Sequence, residues 1–241
     1  KLLVSRYWNT QLRDYKKQNP NIKFLHISTD EVYGDIPKGK NSLETDAYNP
    51  SSPYAASKAS ADHLIKSYYR TFKLPIIITN CCNNYGPKQF PEKLIPKLIL
   101  NLIGNKKLPL YGKGINKREW IHVDDHCEAL IRIFRKGKIG ESYNIGSGDV
   151  VSNNIISKKL IKLFKTKINK NCKSKIIYVK DRPGHDLRYA LNSKKIKKLG
   201  WKKKINLNRG LILTIKWYLE NTNWINQINK KKYSNRLGLK L

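Results

Sequence analysis

The sequence predicts an α/β protein built around a parallel sheet, and three observations lead to this prediction. Short apolar runs, residues 23–28 and 74–80 among them, are typical of strands that are buried on both faces of a sheet. Longer stretches with apolar residues at helical spacing alternate with these runs. A strand, a helix and a second strand follow one another within residues 23–80, which indicates a right-handed parallel unit.

In the first third of the chain the elements are separated by clear turn signals. Asn19, Pro20 and Asn21 end the first helix, and Pro53 opens the second. Residues 29–53 are rich in Gly, Pro, Asn and Ser and predict a polar loop. The predicted order is helix 1–17, strand 23–28, helix 54–72 and strand 74–80.

The rest of the chain continues the alternation, and the sequence contains no internal repeat. Helices are predicted at residues 92–105, 124–135, 152–164 and 207–220. Strands are predicted at residues 107–111, 119–123, 142–145 and 176–179. The stretch 165–175 and the tail after residue 228 are rich in Lys and Asn, so we expect both to be exposed.

The composition excludes several classes of protein. Hydrophobic residues make up 39% of the 241 residues, which is too many for a disordered chain. No apolar run reaches the roughly 20 residues that a membrane helix needs. The four cysteines form no CxxC pair, which argues against a disulfide framework or a zinc ribbon. They predict a reducing compartment, and we expect the cytoplasm.

The net charge of +32, from 49 basic and 17 acidic residues, is unusual. The excess runs along the whole chain, so we attribute it to compositional bias and expect no specific nucleic-acid partner and no membrane partner. The alternative is a non-catalytic basic module that binds anionic partners such as nucleic acid.

Tyr54 and Lys58 are a candidate proton-transfer pair on the second predicted helix. A spacing of four residues places both side chains on one face of a helix, about one turn apart. An ammonium beside a phenol favours the phenolate and lowers its pKa from near 10 toward neutrality. The pair therefore predicts a base that removes a proton from a sugar hydroxyl. Chance matches are common in a chain with fourteen tyrosines.

A second cluster, Ser28-Thr29-Asp30-Glu31, follows the first predicted strand. Ligands bind at the carboxyl ends of strands in open parallel sheets. Two adjacent carboxyl groups at that position can divide the work of a general acid and a general base. The alternative is a loop in which Asp30 caps a turn and Glu31 is solvated.

Together these segments resemble the nucleotide-sugar 4,6-dehydratases, which are extended short-chain dehydrogenase/reductases. The resemblance rests on residues 28–34 (STDEVYG), 54–58 (YAASK), 79–97 (TNCCNNYGPKQFPEKLIPK) and 181–190 (DRPGHDLRYA). It implies that residues 1–86 are the remaining part of an NAD-binding Rossmann-type domain. Residues 87–241 would be mainly a smaller mixed α/β domain that binds the nucleotide sugar, with segments around 115–150 returning to the Rossmann-type sheet.

The resemblance also implies a reaction and its catalytic residues, with NAD as the cofactor. Tyr54, helped by Lys58 and Thr29, would deprotonate the C4 hydroxyl of the sugar. Glu31 would take the C5 proton, and Asp30 would protonate the C6 hydroxyl that leaves as water. The implied substrate is dTDP-glucose, with UDP-glucose as the alternative, and the implied product is a 4-keto-6-deoxy sugar.

The remaining site residues are carried over from the resemblance by position. Those implied for the cofactor are Ser28, Tyr54, Lys58 and Asn83. Those implied for the substrate are Asn84, Glu92, Lys93, Leu94, Pro109, Tyr111, Arg118, Asn153, Arg182 and His185. We predict no metal site: His122 and His126 flank Asp124 and Asp125, and a strand-to-helix junction with an acidic N-cap explains this pattern.

One feature of the family is missing from the sequence. A Gly-rich turn after the first strand binds the pyrophosphate of NAD in that family, and no segment here offers it. We therefore expect the chain to be the C-terminal portion of a longer protein and to hold no NAD by itself. The resemblance further implies a homodimer that pairs through helices 1–17 and 54–72.

Overall fold

The computed structural model describes residues 11–228. The helices are α1 (residues 11–18), α2 (Pro53–Phe72), α3 (Leu94–Ile103), α4 (Val123–Lys136), α5 (Asn153–Lys167), α6 (Lys194–Lys198), α7 (Leu207–Glu220) and α8 (Thr222–Gln227). The strands are β1 (Phe24–Thr29), β2 (Ile76–Cys81), β3 (Asn83–Tyr85), β4 (Leu108–Tyr111), β5 (Lys117–His122), β6 (Ser142–Ile145), β7 (Val150–Ser152) and β8 (Ile176–Val179). The first ten residues of the predicted helix 1–17, and the tail from residue 229, lie outside the described residues.

The largest parallel sheet has the strand order β1–β2–β6. Its register pairs Phe24 with Ile76 at one end and Thr29 with Cys81 at the other. Every residue of β2 is buried, as expected of an apolar central strand with a neighbour on each side. Helix α2 connects β1 to β2 and packs on both strands. The predicted strand–helix–strand unit is confirmed.

Two smaller sheets continue the fold. Strand β5 pairs with β3 in parallel and with β7 in the antiparallel direction, and β4 pairs with β8 in parallel. Helices α3, α5 and α7 pack together beside these strands around an aromatic and aliphatic core that contains Tyr85, Trp120 and Tyr218. A second core cluster, with Ile77 and Trp201 among its members, lies against the largest sheet.

The structure corrects three sequence predictions. The predicted loop 29–53 begins with a 3₁₀ helix, Asp30–Tyr33, because Thr29 caps it directly at the end of β1. Strands β3 and β7 were not predicted, since runs of three residues are too short to show a period. The stretch 165–175 is only partly exposed: Cys172 and Ser174 are buried, and Lys173 N–H donates to the Asn105 side chain at 2.8 Å.

The described helices were compared with the length and apolar character that a membrane span needs. None of the helices between residues 11 and 228 is both long and apolar enough to cross a bilayer.

Candidate active site

The predicted acid–base residues lie at the carboxyl edge of the largest sheet. Thr29 ends β1, and Asp30 and Glu31 begin the 3₁₀ helix that follows. The Thr29 hydroxyl accepts a hydrogen bond from the Glu31 N–H at 3.3 Å, and its oxygen also lies 3.3 Å from Asp30 Oδ1, to which it donates. The tight turn thus holds two carboxyl groups side by side at the edge where ligands bind in such sheets.

Asp30 is almost completely buried, with 3% of its surface exposed. Burial raises the pKa of this carboxyl well above its usual value, and the carboxylates of Glu31 and Glu119 raise it further. Its Oδ2 atom has no hydrogen-bond partner among residues 11–228. These surroundings favour the protonated form, which is the form that a general acid needs.

Glu31 is in a different electrostatic environment. Burial raises its pKa too, but the cationic side chains of Arg182, Arg118 and Lys93 lower it. Of the two carboxyl groups, that of Asp30 is the more deeply buried. Burial therefore favours the neutral form of Asp30 more strongly than the neutral form of Glu31. The pKa values of both carboxyl groups are raised, and that of Asp30 is raised more, so Asp30 is suited to the acid role and Glu31 to the base role.

Tyr54 and Lys58 lie on the first turns of α2. The Ser52 hydroxyl caps this helix by accepting from the Ala55 N–H at 3.1 Å, and Pro53 occupies the first helical turn. The Lys58 ammonium donates to the carbonyl oxygen of Ile27 on β1 at 2.8 Å. This bond joins the helix to the strand that carries the acid–base pair.

The predicted lowering of the Tyr54 pKa is wrong. Burial raises the pKa of this phenol, and the carboxyl groups of Glu31 and Asp30, together with Cys81, raise it further. The physical reason is first that burial disfavours the charged phenolate and second that the carboxyl groups of the acidic cluster repel it. The phenol is still 46% exposed, so a substrate can reach it.

Four buried polar atoms of the predicted cofactor and substrate residues have no hydrogen-bond partner among the described residues. They are Ser28 Oγ, Asn83 Oδ1, Asn84 Oδ1 and Asn153 Oδ1. The Asn84 amide nitrogen donates to the carbonyl of Cys82 at 3.2 Å, which orients its side chain. Buried polar atoms are normally hydrogen-bonded in proteins, so these four are candidates for ligand contacts.

The predicted diphosphate residues lie at the start of α3. The helix begins at Leu94, two residues later than predicted, and Lys93 is its N-cap residue without a side-chain capping bond. The ammonium of Lys93 lies 3.4 Å from the carboxylate of Glu92, and this lysine is largely exposed. A cation beside the free N–H groups of a ten-residue helix suits a phosphate ligand.

Arg118 on β5 is buried and held in place from several sides. Its guanidinium donates to the carbonyl oxygens of Lys117 at 2.8 Å and Asp186 at 2.9 Å. It also lies 4.2 Å from the centre of the Tyr189 ring. Tyr189 in turn donates to the Asp186 carboxylate at 2.5 Å. The arginine is therefore a fixed positive charge near Glu31.

The loop 181–189 carries the remaining predicted substrate residues. His185 Nδ1 lies 2.7 Å from Asp181 Oδ1, and its ring packs edge-on against Tyr111 at 6.2 Å. Arg182 is exposed next to Asp181, whose carboxylate accepts its backbone N–H at 2.8 Å. The positive charge of Arg182 lowers the pKa of Glu31, so this loop contributes to the electrostatics of the acid–base pair.

Asn153 and Pro109 are less directly connected to this cluster. Asn153 opens α5 and donates its N–H to the carbonyl of Asn116, whose side chain donates to the Asp186 carbonyl at 3.1 Å. Pro109 lies on β4, two residues before Tyr111, and pairs with Ile177 of β8. The ligand roles of both remain predictions.

Sequence reasoning missed several residues around the site. Glu119 is buried beside Asp30 and accepts the N–H groups of Gly148 at 2.6 Å and Leu191 at 2.8 Å. Asp186 lies in the quoted segment 181–190 but was given no role. Asp62, on the same face of α2 as Lys58, could have been found from its spacing of four residues.

The histidine pair at the start of α4 forms no metal site. Between residues 11 and 228 no group of three or more His, Cys, Asp or Glu side chains is arranged to hold a metal ion. The N-cap is His122, which accepts the Asp124 N–H at 3.3 Å, so the predicted acidic N-cap is wrong. His126 lies inside the protein, where burial lowers its pKa to about 4.

Comparison with known proteins identifies the relatives of this chain. The family model for GDP-mannose 4,6 dehydratase matches residues 10–214. The dTDP-glucose 4,6-dehydratase of Shigella flexneri is 47% identical over 239 residues, which is 94% of this chain and 65% of the relative. The Salmonella typhimurium dTDP-glucose 4,6-dehydratase is 46% identical over 243 residues, or 96% and 66%. The chain thus spans slightly less than two thirds of the length of these relatives.

Solved structures agree with this relationship. A Bacillus anthracis dTDP-glucose 4,6-dehydratase in complex with NAD has a TM-score of 0.81 and 44% identity, covering 90% of this chain and 68% of that one. A Streptomyces venezuelae dTDP-glucose 4,6-dehydratase with NAD bound has a TM-score of 0.80 and 42% identity, covering 90% and 66%. These likenesses confirm the predicted Rossmann-type α/β class.

Proposed function

Because this chain belongs to the GDP-mannose 4,6 dehydratase family, we propose that its protein removes water from a nucleotide sugar. The proposed substrate is dTDP-glucose and the proposed product is its 4-keto-6-deoxy derivative, as the names of the most similar relatives suggest. One observation carries the proposal. Asp30 and Glu31 are adjacent carboxyl groups whose pKa values are both raised, that of Asp30 by the larger amount, so Asp30 suits the role of the acid and Glu31 the role of the base.

The proposed cofactor is NAD, and the residues present fit it. Ser28 Oγ and Asn83 Oδ1 are buried atoms at the carboxyl edge of the sheet, without a partner in the described chain, and they can bond a carboxamide or a ribose. Together with Tyr54 and Lys58 they would hold the nicotinamide half. When bound, NAD would supply hydride transfer at C4 and C6 of the sugar.

The chain's own residues perform the proton transfers of this proposal. In this proposal Tyr54 receives the proton of the C4 hydroxyl, and help from the Lys58 ammonium and the Thr29 hydroxyl has to offset the burial and the carboxyl groups that raise the pKa of Tyr54. Glu31 then takes the proton from C5, which the neighbouring ketone acidifies. Asp30 gives its proton to the C6 hydroxyl, so that the C6–O bond breaks and one water leaves.

The positive groups near Glu31 suit the diphosphate of the substrate. Arg182 and Lys93 are exposed, whereas Arg118 is already bonded to two carbonyl groups. Arginine can bind a phosphate with two parallel hydrogen bonds, so Arg182 is the proposed main phosphate ligand. Tyr111 and Pro109 on β4 are the proposed contacts of the nucleotide base, and UDP-glucose remains the alternative substrate.

Mass spectrometry of the nucleotide sugar tests the proposal. The purified full-length protein, supplied with NAD, is incubated with dTDP-glucose and in parallel with UDP-glucose. We expect the mass of dTDP-glucose to fall by one water, and we expect no fall with a variant that carries Asp30→Asn and Glu31→Gln together. Unchanged masses of both sugars would overturn the proposal, and loss of water from UDP-glucose alone would change the substrate.

We further propose a cytoplasmic homodimer. All four cysteines are free thiols, which supports a reducing compartment. The proposed pairing surface is formed by α1 and α2, where Tyr15 and Phe72 are exposed, with Tyr68 and Tyr69 on the same helix as Phe72. Tyr7 and Trp8, which belong to the same prediction, lie outside the described residues. Sedimentation as a monomer at micromolar concentration would contradict the pairing.

A further inference from the structure

A buried carboxylate lies on α2 just beyond the proposed Tyr54–Lys58 pair. Asp62 follows Lys58 by four residues, so the two side chains share a face of the helix, and Asp62 is completely buried. Its Oδ1 atom lies 3.0 Å from His26 Nε2. Its Oδ2 atom accepts from the Tyr48 hydroxyl at 3.1 Å and from the Asn80 amide at 3.2 Å.

These three bonds connect α2 to three other segments of the chain. His26 belongs to β1, Asn80 belongs to β2, and Tyr48 lies in the connection that leads to α2. A charged acceptor makes stronger hydrogen bonds than a neutral one. Asp62 is thus placed to define how the helix sits on the two strands.

The same bonds continue to the proposed catalytic residues. The Asn80 amide that donates to Asp62 also lies 3.3 Å from the carbonyl oxygen of Thr29. Lys58 donates to the carbonyl of Ile27, two residues before Thr29. The end of β1, from which Asp30 and Glu31 follow, is therefore held by Lys58 of α2 and by Asn80 of β2, and Asp62 acts on it through its bond to Asn80.

We infer that Asp62 is a positioning residue, whose hydrogen bonds to His26, Tyr48 and Asn80 set the placement of Thr29 and of the acid–base pair relative to Tyr54. This inference rests on the proposed function. Misplacement of reacting groups by about 1 Å can lower a rate by about 100-fold, so such an anchor matters for catalysis as well as for folding.

The titratable and charged groups that face this cluster are few. Lys66 lies 4.7 Å from the centre of the Tyr48 ring, and the His63 ring packs against the same tyrosine at 5.2 Å. Burial raises the pKa of Tyr48, and Asp62 raises it further, so Tyr48 remains a hydrogen-bond donor. His26 is the one partner of Asp62 that can change from donor to acceptor through its tautomer.

Two substitutions at Asp62 separate its hydrogen bonds from its charge. Asp62→Ala removes every acceptor, and we expect kcat to fall by about 10- to 100-fold with KM changed less than about threefold. In Asp62→Asn the amide oxygen can still accept from Tyr48 and Asn80, while the amide N–H₂ faces His26. We expect this variant to lose rate as well, but less than Asp62→Ala, because it keeps two of the three hydrogen bonds and loses the charge.

Hydrogen exchange gives a second readout that does not depend on activity. Followed by mass spectrometry, amide exchange in residues 27–31 should accelerate in Asp62→Ala more than exchange elsewhere in the chain. The matched control is Asp125→Ala. Asp125 is also buried, but it lies on α4 rather than α2. Its carboxylate accepts the N–H groups of Lys204 and Ile205 at 2.9 Å. The control should lose stability without the local change at residues 27–31.

The outcomes separate this inference from the proposed function. If wild type forms product and Asp62→Ala differs from the Asp125→Ala control neither in kcat nor in exchange at residues 27–31, Asp62 has no positioning role. If wild type forms no product, the proposed function fails and the exchange data alone decide on Asp62. Should Asp62→Ala not fold, the kcat and the exchange of Asp62→Asn decide: a kcat and an exchange at residues 27–31 like those of wild type would overturn the inference.

Discussion

Replacing Asp30 by asparagine should make the folded protein more stable. In wild type, burial and two neighbouring carboxyl groups raise the pKa of Asp30, which means that the folded state disfavours its charged form. Asparagine has nearly the same shape and carries no charge. The substitution therefore removes a destabilising feature that the proposed general acid requires.

The size and the pH dependence of this gain follow from linkage. Relief of a strained active-site group commonly adds about 0.5–2 kcal/mol to the free energy of unfolding. For a chain of this length that corresponds to a rise in Tm of about 1–8 °C. Because the folded pKa lies above the unfolded value of about 3.9, wild type loses stability as the pH rises from that value through the folded pKa. The gain should be absent near pH 4 and should grow as the pH rises, until the pH has passed the folded pKa.

Urea unfolding at pH 4, 5.5, 7 and 8.5, followed by circular dichroism, measures the effect. The matched control is Asp14→Asn, at an exposed aspartate on α1 that pairs with Lys17 at 3.5 Å. We expect a change within about 0.5 kcal/mol for the control at every pH. If Asp30→Asn destabilises the protein at neutral pH, or stabilises it equally at pH 4, the carboxyl group is not held in its neutral form.

Three further predictions concern single residues. Glu31→Gln should lower the rate of water loss by about 10²–10⁴-fold, as expected for loss of a general base, and a rate within threefold of wild type in the product assay would contradict the role of Glu31. Gly34→Ala should lower the free energy of unfolding by about 1–3 kcal/mol, because Gly34 has φ +74° and a Cβ there would collide with the carbonyl oxygen of Asn49. An unchanged midpoint of urea unfolding would contradict this prediction. His126→Gln should flatten the loss of stability between about pH 6.5 and 4, since burial lowers the pKa of His126 to about 4 and the unfolded chain binds the proton first; equal slopes for variant and wild type would contradict this.

The regular elements were largely predictable because local patterns encode them. Strands β1 and β6 and helices α2 and α7 begin within one residue of their predicted starts, since each has a clear apolar period or a turn signal beside it. Strands β3 and β7 were not predicted because each has three residues. Their extended conformation depends on pairing with β5, which is distant in sequence.

The sequence predicted the motif residues of the proposed site, but it did not predict the burial and the neighbouring charges that surround them. Residues 28–31 and 54–58 are contiguous segments, so their residue types and spacing are visible in the chain. The shift of the Tyr54 pKa was predicted in the wrong direction. Its direction depends on burial and on the carboxyl groups of Glu31 and Asp30, which approach Tyr54 only in the folded protein.

The sequence by itself determined the α/β class, the order of most elements and the identity of the candidate acid, base and tyrosine. These properties depend on residue type and on short spacings along the chain. Only the tertiary structure decided which carboxyl group has the more strongly raised pKa, that Arg118 is fixed by Asp186, and that Asp62 connects α2 to both strands. Burial and hydrogen bonding between residues far apart in sequence determine these features, because the free energy of a charge depends on the solvent and partners that surround it after folding.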